Sequence, residues 1–85
     1  MAIQAIPTAT ADMLTLSINS LDNANGKVVV YDAMGKVVTE IPAEVIAENE
    51  NLVYINVSSM PTGYYTVVFQ HDGGIVYDKF LRIDR

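Results

Sequence analysis

The sequence predicts an all-β chain. Stretches in which apolar and polar residues alternate recur along it, many are rich in β-branched side chains, and helical periodicity is weak almost everywhere. Clusters of Gly, Pro, Asn and Asp separate these stretches and indicate turns. At 85 residues the chain is long enough for one small core. We therefore expect residues 1–85 to form a single domain.

Composition and charge argue against several classes of function. The chain contains no cysteine, which removes disulfide bonds and thiolate metal sites. Ten acidic against five basic residues give a net charge of −5, the wrong sign for binding the phosphates of nucleic acids. No apolar stretch is long enough to span a membrane. We expect neither nucleic acid binding nor membrane insertion.

The first predicted strands have different burial patterns. The segment MLTLSIN places Leu14, Leu16 and Ile18 on one face, as in a strand with one buried side. Residues 20–26 are rich in Asn, Asp and Gly and predict a loop. Residues 27–32 contain four consecutive apolar residues, a pattern that favours a central strand or one covered on both faces.

A tight hairpin is predicted to follow. Asp32 and Gly35 occupy the first and fourth positions of a turn, where Asp hydrogen-bonds backbone amides and Gly tolerates positive φ. The return strand covers residues 36–41 and is expected to end at Pro42, which cannot donate to a sheet ladder. Residues 42–51 have helix-forming composition over barely one turn, so we expect a short helical turn or a polar crossover loop.

Three further strands are predicted in the second half of the chain. Residues 52–58 and 64–71 alternate cleanly. Asp72 and Gly73 are the pair favoured in a two-residue hairpin whose residues both have positive φ. The final strand, residues 75–83, alternates less well, and a bulge or an edge position would explain this.

Six or seven short strands with closely spaced turns predict an immunoglobulin-like antiparallel β-sandwich. The stretch SSMPTGYYTV fits this fold, because a tyrosine in many such sandwiches fixes the corner between the sheets. We expect Met60 in the core, Pro61 at the bend and Gly63 at the reversal of the backbone. Tyr65 would then be the corner tyrosine and Tyr64 would face outward. An aromatic pair that stacks on a sugar ring is the functional alternative.

The sequence contains no recognisable catalytic or metal-binding pattern. His71 is the single histidine, and both metal coordination and acid–base catalysis need further convergent groups. A nucleophile elbow of the G-x-S-x-G type and a glycine-rich phosphate loop are both missing. We therefore expect no enzymatic activity and no cofactor, and we expect His71 to be a solvated turn residue.

Four segments of the chain form a pattern when they are taken in order: ADMLTLSI, GKVVVYDAMGKVV, INVSSMPTGYYTVVF and GGIVYDKFLRID. Together they resemble the C-terminal sorting domains of the Bacteroidetes type IX secretion system, also called Por secretion tails. The resemblance covers roughly residues 5–84, and its most specific part is the combination of the Asp32/Gly35 hairpin with the Pro61/Gly63/Tyr65 corner. A second family, small secreted immunoglobulin-like proteins of unknown function from gut Bacteroides, shares much of the pattern.

The resemblance to sorting domains implies a non-catalytic module at the C-terminus of a larger exported protein. Such a module is read by an outer-membrane translocon and is often removed or exchanged for a surface lipid anchor. The implied readout lies on exposed residues of the final strand, which here are Lys79, Arg82 and Arg85, and the loop around Asp32 to Gly35 is a further candidate. A protein partner in the secretion machinery and an extracytoplasmic location are therefore expected.

The alternative hypothesis is a free-standing secreted or periplasmic binding module of unknown function. Its loops or an open sheet edge would bind a protein or a glycan, since strand addition at an edge needs little sequence signature. An open edge in so short a sandwich also predicts weak self-association.

Overall fold

The computed structural model describes residues 1–84, which form two β-sheets packed face to face. The predicted all-β, immunoglobulin-like sandwich is confirmed. Its strands are β1 (Ala2–Ile6), β2 (Ala9–Thr10), β3 (Met13–Asn19), β4 (Ala24–Tyr31), β5 (Val37–Val45), β6 (Asn51–Asn56), β7 (Gly63–His71) and β8 (Gly74–Arg82). One sheet has the order β1-β3-β6, and the other has the order β2-β8-β7-β4-β5.

The described residues contain more strands than the sequence predicts. The additional strands are β1 and β2, whose short sequences show the strand pattern only weakly. The alanine-rich β1 pairs antiparallel with β3. The two-residue β2 pairs parallel with β8, the one exception to the predicted antiparallel arrangement among the pairs of the described chain. Its flanks extend the ladder, since Leu81 N donates to Thr8 O at 2.8 Å and Ile83 N donates to Thr10 O at 3.0 Å.

The core lies between the inner faces of the two sheets. Alternation in β3 buries Leu14, Leu16 and Ile18 completely, as predicted. Each buried aliphatic side chain of this size contributes about 1.5–3 kcal/mol relative to an exposed one. The larger sheet contributes Val28, Val30, Val67, Phe69 and Phe80 to the same cluster.

Strand β4 begins earlier than predicted. It starts at Ala24, inside the segment expected to be a loop. Gly26 belongs to the strand, and a Cβ atom at this position would lie 1.8 Å from Gln70 O of the neighbouring β7. The backbones therefore approach more closely than a side chain allows. Val28, Val29 and Val30 are all buried, which confirms the central position of this strand.

Strand β5 continues through Pro42, so the expected end of the strand at this residue is wrong. Pro42 lies opposite Lys27 in an edge strand, where a residue whose nitrogen faces away from the ladder loses no hydrogen bond. The predicted helical turn is absent from the described chain. Residues 46–50 form the polar crossover between the sheets, with Glu48 at a φ of 61°.

The final hairpin is confirmed, although its turn differs from the predicted one. His71 pairs with Gly74, so Asp72 and Gly73 form the two-residue loop. Positive φ falls on Gly74, at 131°, and not on the two loop residues. The register of β7 and β8 is continuous, which excludes a bulge between them and leaves the edge position as the explanation of the irregular alternation.

Candidate recognition surface

Tyr65 fixes the corner between the sheets, as predicted. Its hydroxyl donates to Pro61 O, and its ring stacks on Phe80 with 5.4 Å between the ring centroids. Gly63 has a φ of 147°, a conformation that glycine adopts without strain. Because neighbouring strand residues point to opposite faces, burial of Tyr65 directs Tyr64 outward, where 67% of its surface is exposed.

The Asp32–Gly35 hairpin is also formed as predicted. Asp32 Oδ1 accepts hydrogen bonds from the amides of Met34 and Lys36, both at 2.9 Å. Gly35 N donates to Asp32 O at 3.0 Å, and Gly35 has a φ of 82°. This turn presents Met34 at its tip with 90% of the residue exposed. A groove separates the hairpin from the corner and is lined by Met34, Val37, Pro61 and Tyr64, among others.

The outer face of β8 continues this apolar region toward the last strand. Tyr64 lies opposite Leu81, and Thr66 lies opposite Lys79. Tyr77 precedes Lys79 by two residues on the same face and is 62% exposed. A second groove joins Tyr64, Lys79 and Leu81. We refer to the exposed face formed by Met34, Val37, Tyr64, Tyr77, Lys79 and Leu81 as the Tyr64 surface.

Lys79 is the one basic side chain of the Tyr64 surface and is exposed, as expected. The ion pairs found within residues 1–84 join other groups, Lys27 with Glu40 and Arg82 with Asp84. The hydrogen bond to Glu40 raises the pKa of Lys27. Lys79 therefore presents a charged ammonium amid aromatic and aliphatic side chains.

Arg82 is placed differently from the prediction, which required an exposed side chain. Residue 82 shares the inward face of β8 with Phe80, and only 11% of the Arg82 side chain is exposed. Its guanidinium donates to Val57 O at 3.1 Å and to Ser58 O at 2.7 Å. Arg82 thus ties the end of β8 to the chain that follows β6. Arg85 lies outside the described residues.

The described chain does not bring metal-ligating side chains together. No cluster of three or more metal-ligating side chains occurs within residues 1–84. His71 Nδ1 accepts a hydrogen bond from Gly73 N at 3.1 Å, and its ring stacks on Phe69. The imidazole is therefore part of the hairpin. Among the same residues, no helix is long and apolar enough to cross a membrane.

The fold and this surface define an immunoglobulin-like β-sandwich module, a class whose faces, loops and edges serve binding in many proteins. A family model described as "Secretion system C-terminal sorting domain" matches residues 5–83. The chain belongs to this family, the sorting domains of the type IX secretion system. A comparison with curated proteins gave no match.

Membership of the family confirms the sorting hypothesis made from the sequence. The domain is a sorting signal of type IX secretion, and such a domain marks proteins for export out of the cytoplasm, to the cell surface or into the medium. It implies interaction with a protein of the secretion machinery. The family is not known for catalysis.

Sequence reasoning named Lys79 as a candidate recognition residue but did not combine it with the aromatic side chains of the same face. Tyr64 was assigned an outward position only as the neighbour of Tyr65, and Tyr77 was grouped with Lys79 in an irregular strand. The register of β7 and β8 brings these residues together on one face. A tyrosine at the outward positions of both strands of a predicted hairpin was the signal available in the sequence.

Proposed function

We propose that a protein of the secretion machinery recognises the domain at the Tyr64 surface. Exposed apolar patches with aromatic side chains are typical of protein interfaces, and tyrosine is enriched among residues that dominate binding energy. Tyr64 and Tyr77 supply apolar area with a polar tip, and Lys79 supplies a charge that selects an acidic partner. The observation that carries the proposal is the position of Lys79 between Tyr77 and Leu81, opposite β7.

The three basic residues have different proposed roles. Lys79 contacts the partner directly, and Arg85 provides a second contact beyond the described chain. Arg82 acts as a positioning residue, because its bonds to Val57 O and Ser58 O hold the end of β8 in place. Weak self-association through a sheet edge remains a separate prediction, which sedimentation would measure.

The test fuses the chain to the C-terminus of a reporter in a bacterium that has type IX secretion and measures delivery to the cell surface. We expect Tyr64→Ala combined with Tyr77→Ala to reduce delivery at least about tenfold, the effect of losing about 1.4 kcal/mol of binding energy. Lys79→Ala should reduce it about threefold. Arg85→Ala should reduce delivery without changing the unfolding temperature, whereas substitution of Arg82 should lower both.

Tyr54→Ala is the matched control. Tyr54 is also 62% exposed but lies on the outer face of the smaller sheet, so delivery should stay within about twofold of the wild type. Thermal unfolding of each purified fusion would separate loss of recognition from loss of folding. Normal delivery of the double tyrosine variant, or an equal loss with Tyr54→Ala, would overturn the proposal.

We infer further that the domain acts by binding alone. The support is the engagement of His71, the single imidazole, in the hairpin through Gly73 N and the ring of Phe69. In the same assay we expect His71→Gln to be delivered like the wild type. Loss of a measurable turnover in this variant would contradict the inference.

A further inference from the structure

The free edges of the two sheets differ in their protection. Edge strands present unpaired N–H and C=O groups to which another strand adds, and proteins protect them with proline, charges or covering elements. In β5 the protection is Pro42, which removes one outward N–H. In β8 the C-terminal end, Leu81 and Arg82, is covered by β2.

A single carboxylate protects the edges of β1 and β8 where they adjoin. Asp78 Oδ2 accepts a hydrogen bond from Ala5 N at 2.9 Å. Asp78 Oδ1 accepts one from Lys79 N at 2.8 Å. On the part of β8 that β2 does not cover, this leaves outward N–H groups without a hydrogen bond only at Ile75 and Tyr77, because the ladder alternates.

The edge of β6 has no such protection. Val57 N donates to Asp12 O at 2.8 Å, in the register that joins β6 to β3. Hydrogen-bonded and non-hydrogen-bonded pairs alternate in antiparallel ladders, so Leu52, Tyr54 and Asn56 direct their N–H and C=O groups away from β3. Strand β6 is the last strand of its sheet and contains neither proline nor a charged residue.

The surroundings of this edge are acidic. A groove between β5 and β6 is lined by residues that include Glu44, Glu50, Val53 and Tyr54. Residues 37–56 contain four glutamates and no lysine or arginine. Of these glutamates, one forms an ion pair within the described chain, that of Glu40 with Lys27. The open edge therefore combines backbone donors and acceptors with an excess of negative charge.

We propose that the β6 edge binds an extended, basic polypeptide segment as a fourth strand of the smaller sheet. The spacing of the outward groups of Leu52, Tyr54 and Asn56 matches an extended backbone, and Glu44 and Glu50 select lysine or arginine side chains. A second copy of the chain fits poorly, because pairing two β6 strands brings two acidic grooves together. The proposal does not depend on the Tyr64 surface, which lies on the other sheet.

The test uses an acetylated and amidated heptapeptide that alternates lysine and valine, with a glutamate–valine peptide as control. Binding to the complete chain is followed by amide NMR shifts and by hydrogen exchange. We expect the lysine peptide alone to bind, with the amides of Leu52, Tyr54 and Asn56 shifting most. At 90% saturation their exchange should slow about tenfold, since exchange then proceeds from the remaining free fraction.

Two sets of variants locate the binding edge. Tyr54→Pro removes an outward N–H without breaking the ladder to β3 and should weaken peptide binding at least about tenfold. Tyr54→Thr keeps the N–H, and its affinity should stay within about twofold. If Tyr54→Pro does not fold, Glu44→Gln with Glu50→Gln still tests the charge and should weaken binding about threefold to tenfold.

Three outcomes would overturn the proposal. The first is the absence of lysine-peptide binding to the wild-type chain at about 1 mM, a concentration that detects even weak complexes. The second is equal binding of the glutamate peptide. The third is self-association that Tyr54→Pro abolishes, because the edge would then accept a second copy and not a basic segment.

Discussion

The two sides of the sandwich contrast in how their sheet edges are treated. On one side β1 adjoins β8, where Asp78 bonds to an amide of each strand and β2 covers part of the ladder. On the other side β5 and β6 flank an acidic groove. Pro42 protects the edge of β5, whereas β6 contains neither proline nor a charged residue. Stability is therefore expected to depend on the closed side, and the addition of a further strand on the open one.

Replacement of Asp78 should have the largest effect on stability. Asp78→Ala leaves two amides at the closed side without their carboxylate, and hydrogen bonds to charged groups contribute about 1.5–3 kcal/mol each. Because the site is partly exposed, we expect a loss of about 3 kcal/mol in the free energy of unfolding, measured by urea denaturation. Asp78→Asn keeps one oxygen acceptor and should lose about half as much.

Glu44→Ala on the open side is the control for this prediction. It removes a carboxylate from a strand edge, and within the described chain this carboxylate accepts no hydrogen bond from the backbone. The free energy of unfolding should therefore change by less than about 0.5 kcal/mol. Similar losses for Asp78→Ala and Glu44→Ala would show that the two sides do not differ in the way we describe.

Replacement of Arg82 should have the next largest effect. Arg82→Met keeps most of the aliphatic stem but removes the guanidinium that bonds to Val57 O and Ser58 O. We expect a loss of about 2 kcal/mol in the free energy of unfolding, because the carbonyl of Val57 lies in a partly buried site. Lys79 lies three residues earlier in the same strand, on the outer face, and Lys79→Met should change the free energy of unfolding by less than about 0.5 kcal/mol. Equal effects would contradict the inward placement of Arg82.

The contrast between Lys79 and Arg82 also shows how far the sequence predicts this molecule. Alternation and turn residues predicted the sandwich, the Asp32/Gly35 hairpin and the Tyr65 corner, because each depends on local backbone chemistry. Alternation around Phe80 also predicts an inward Arg82, but its charge favoured an exposed site. The carbonyl groups that accept its hydrogen bonds belong to the chain that follows β6 of the other sheet, and no local pattern reveals them.

Long-range pairing limited the prediction elsewhere as well. Pro42 was expected to end a strand, since a proline inside a ladder removes a hydrogen bond. The edge position of β5 removes this conflict, but an edge is a property of the sheet order and not of the segment. Gly26 was assigned to a loop for the same reason, because its close contact with Gln70 O forms only when β4 and β7 pair.

Replacement of Pro42 should have the smallest effect on stability and the clearest effect on the contrast between the sides. Pro42→Thr restores an outward N–H in β5 and suits strand geometry, so the free energy of unfolding should change by less than about 0.5 kcal/mol. The lysine–valine peptide should then bind at two edges, with new amide shifts in β5 around Ile41 and Ala43. A large loss of stability would mean that Pro42 supports the fold, and an unchanged single site would mean that proline is not what protects this edge.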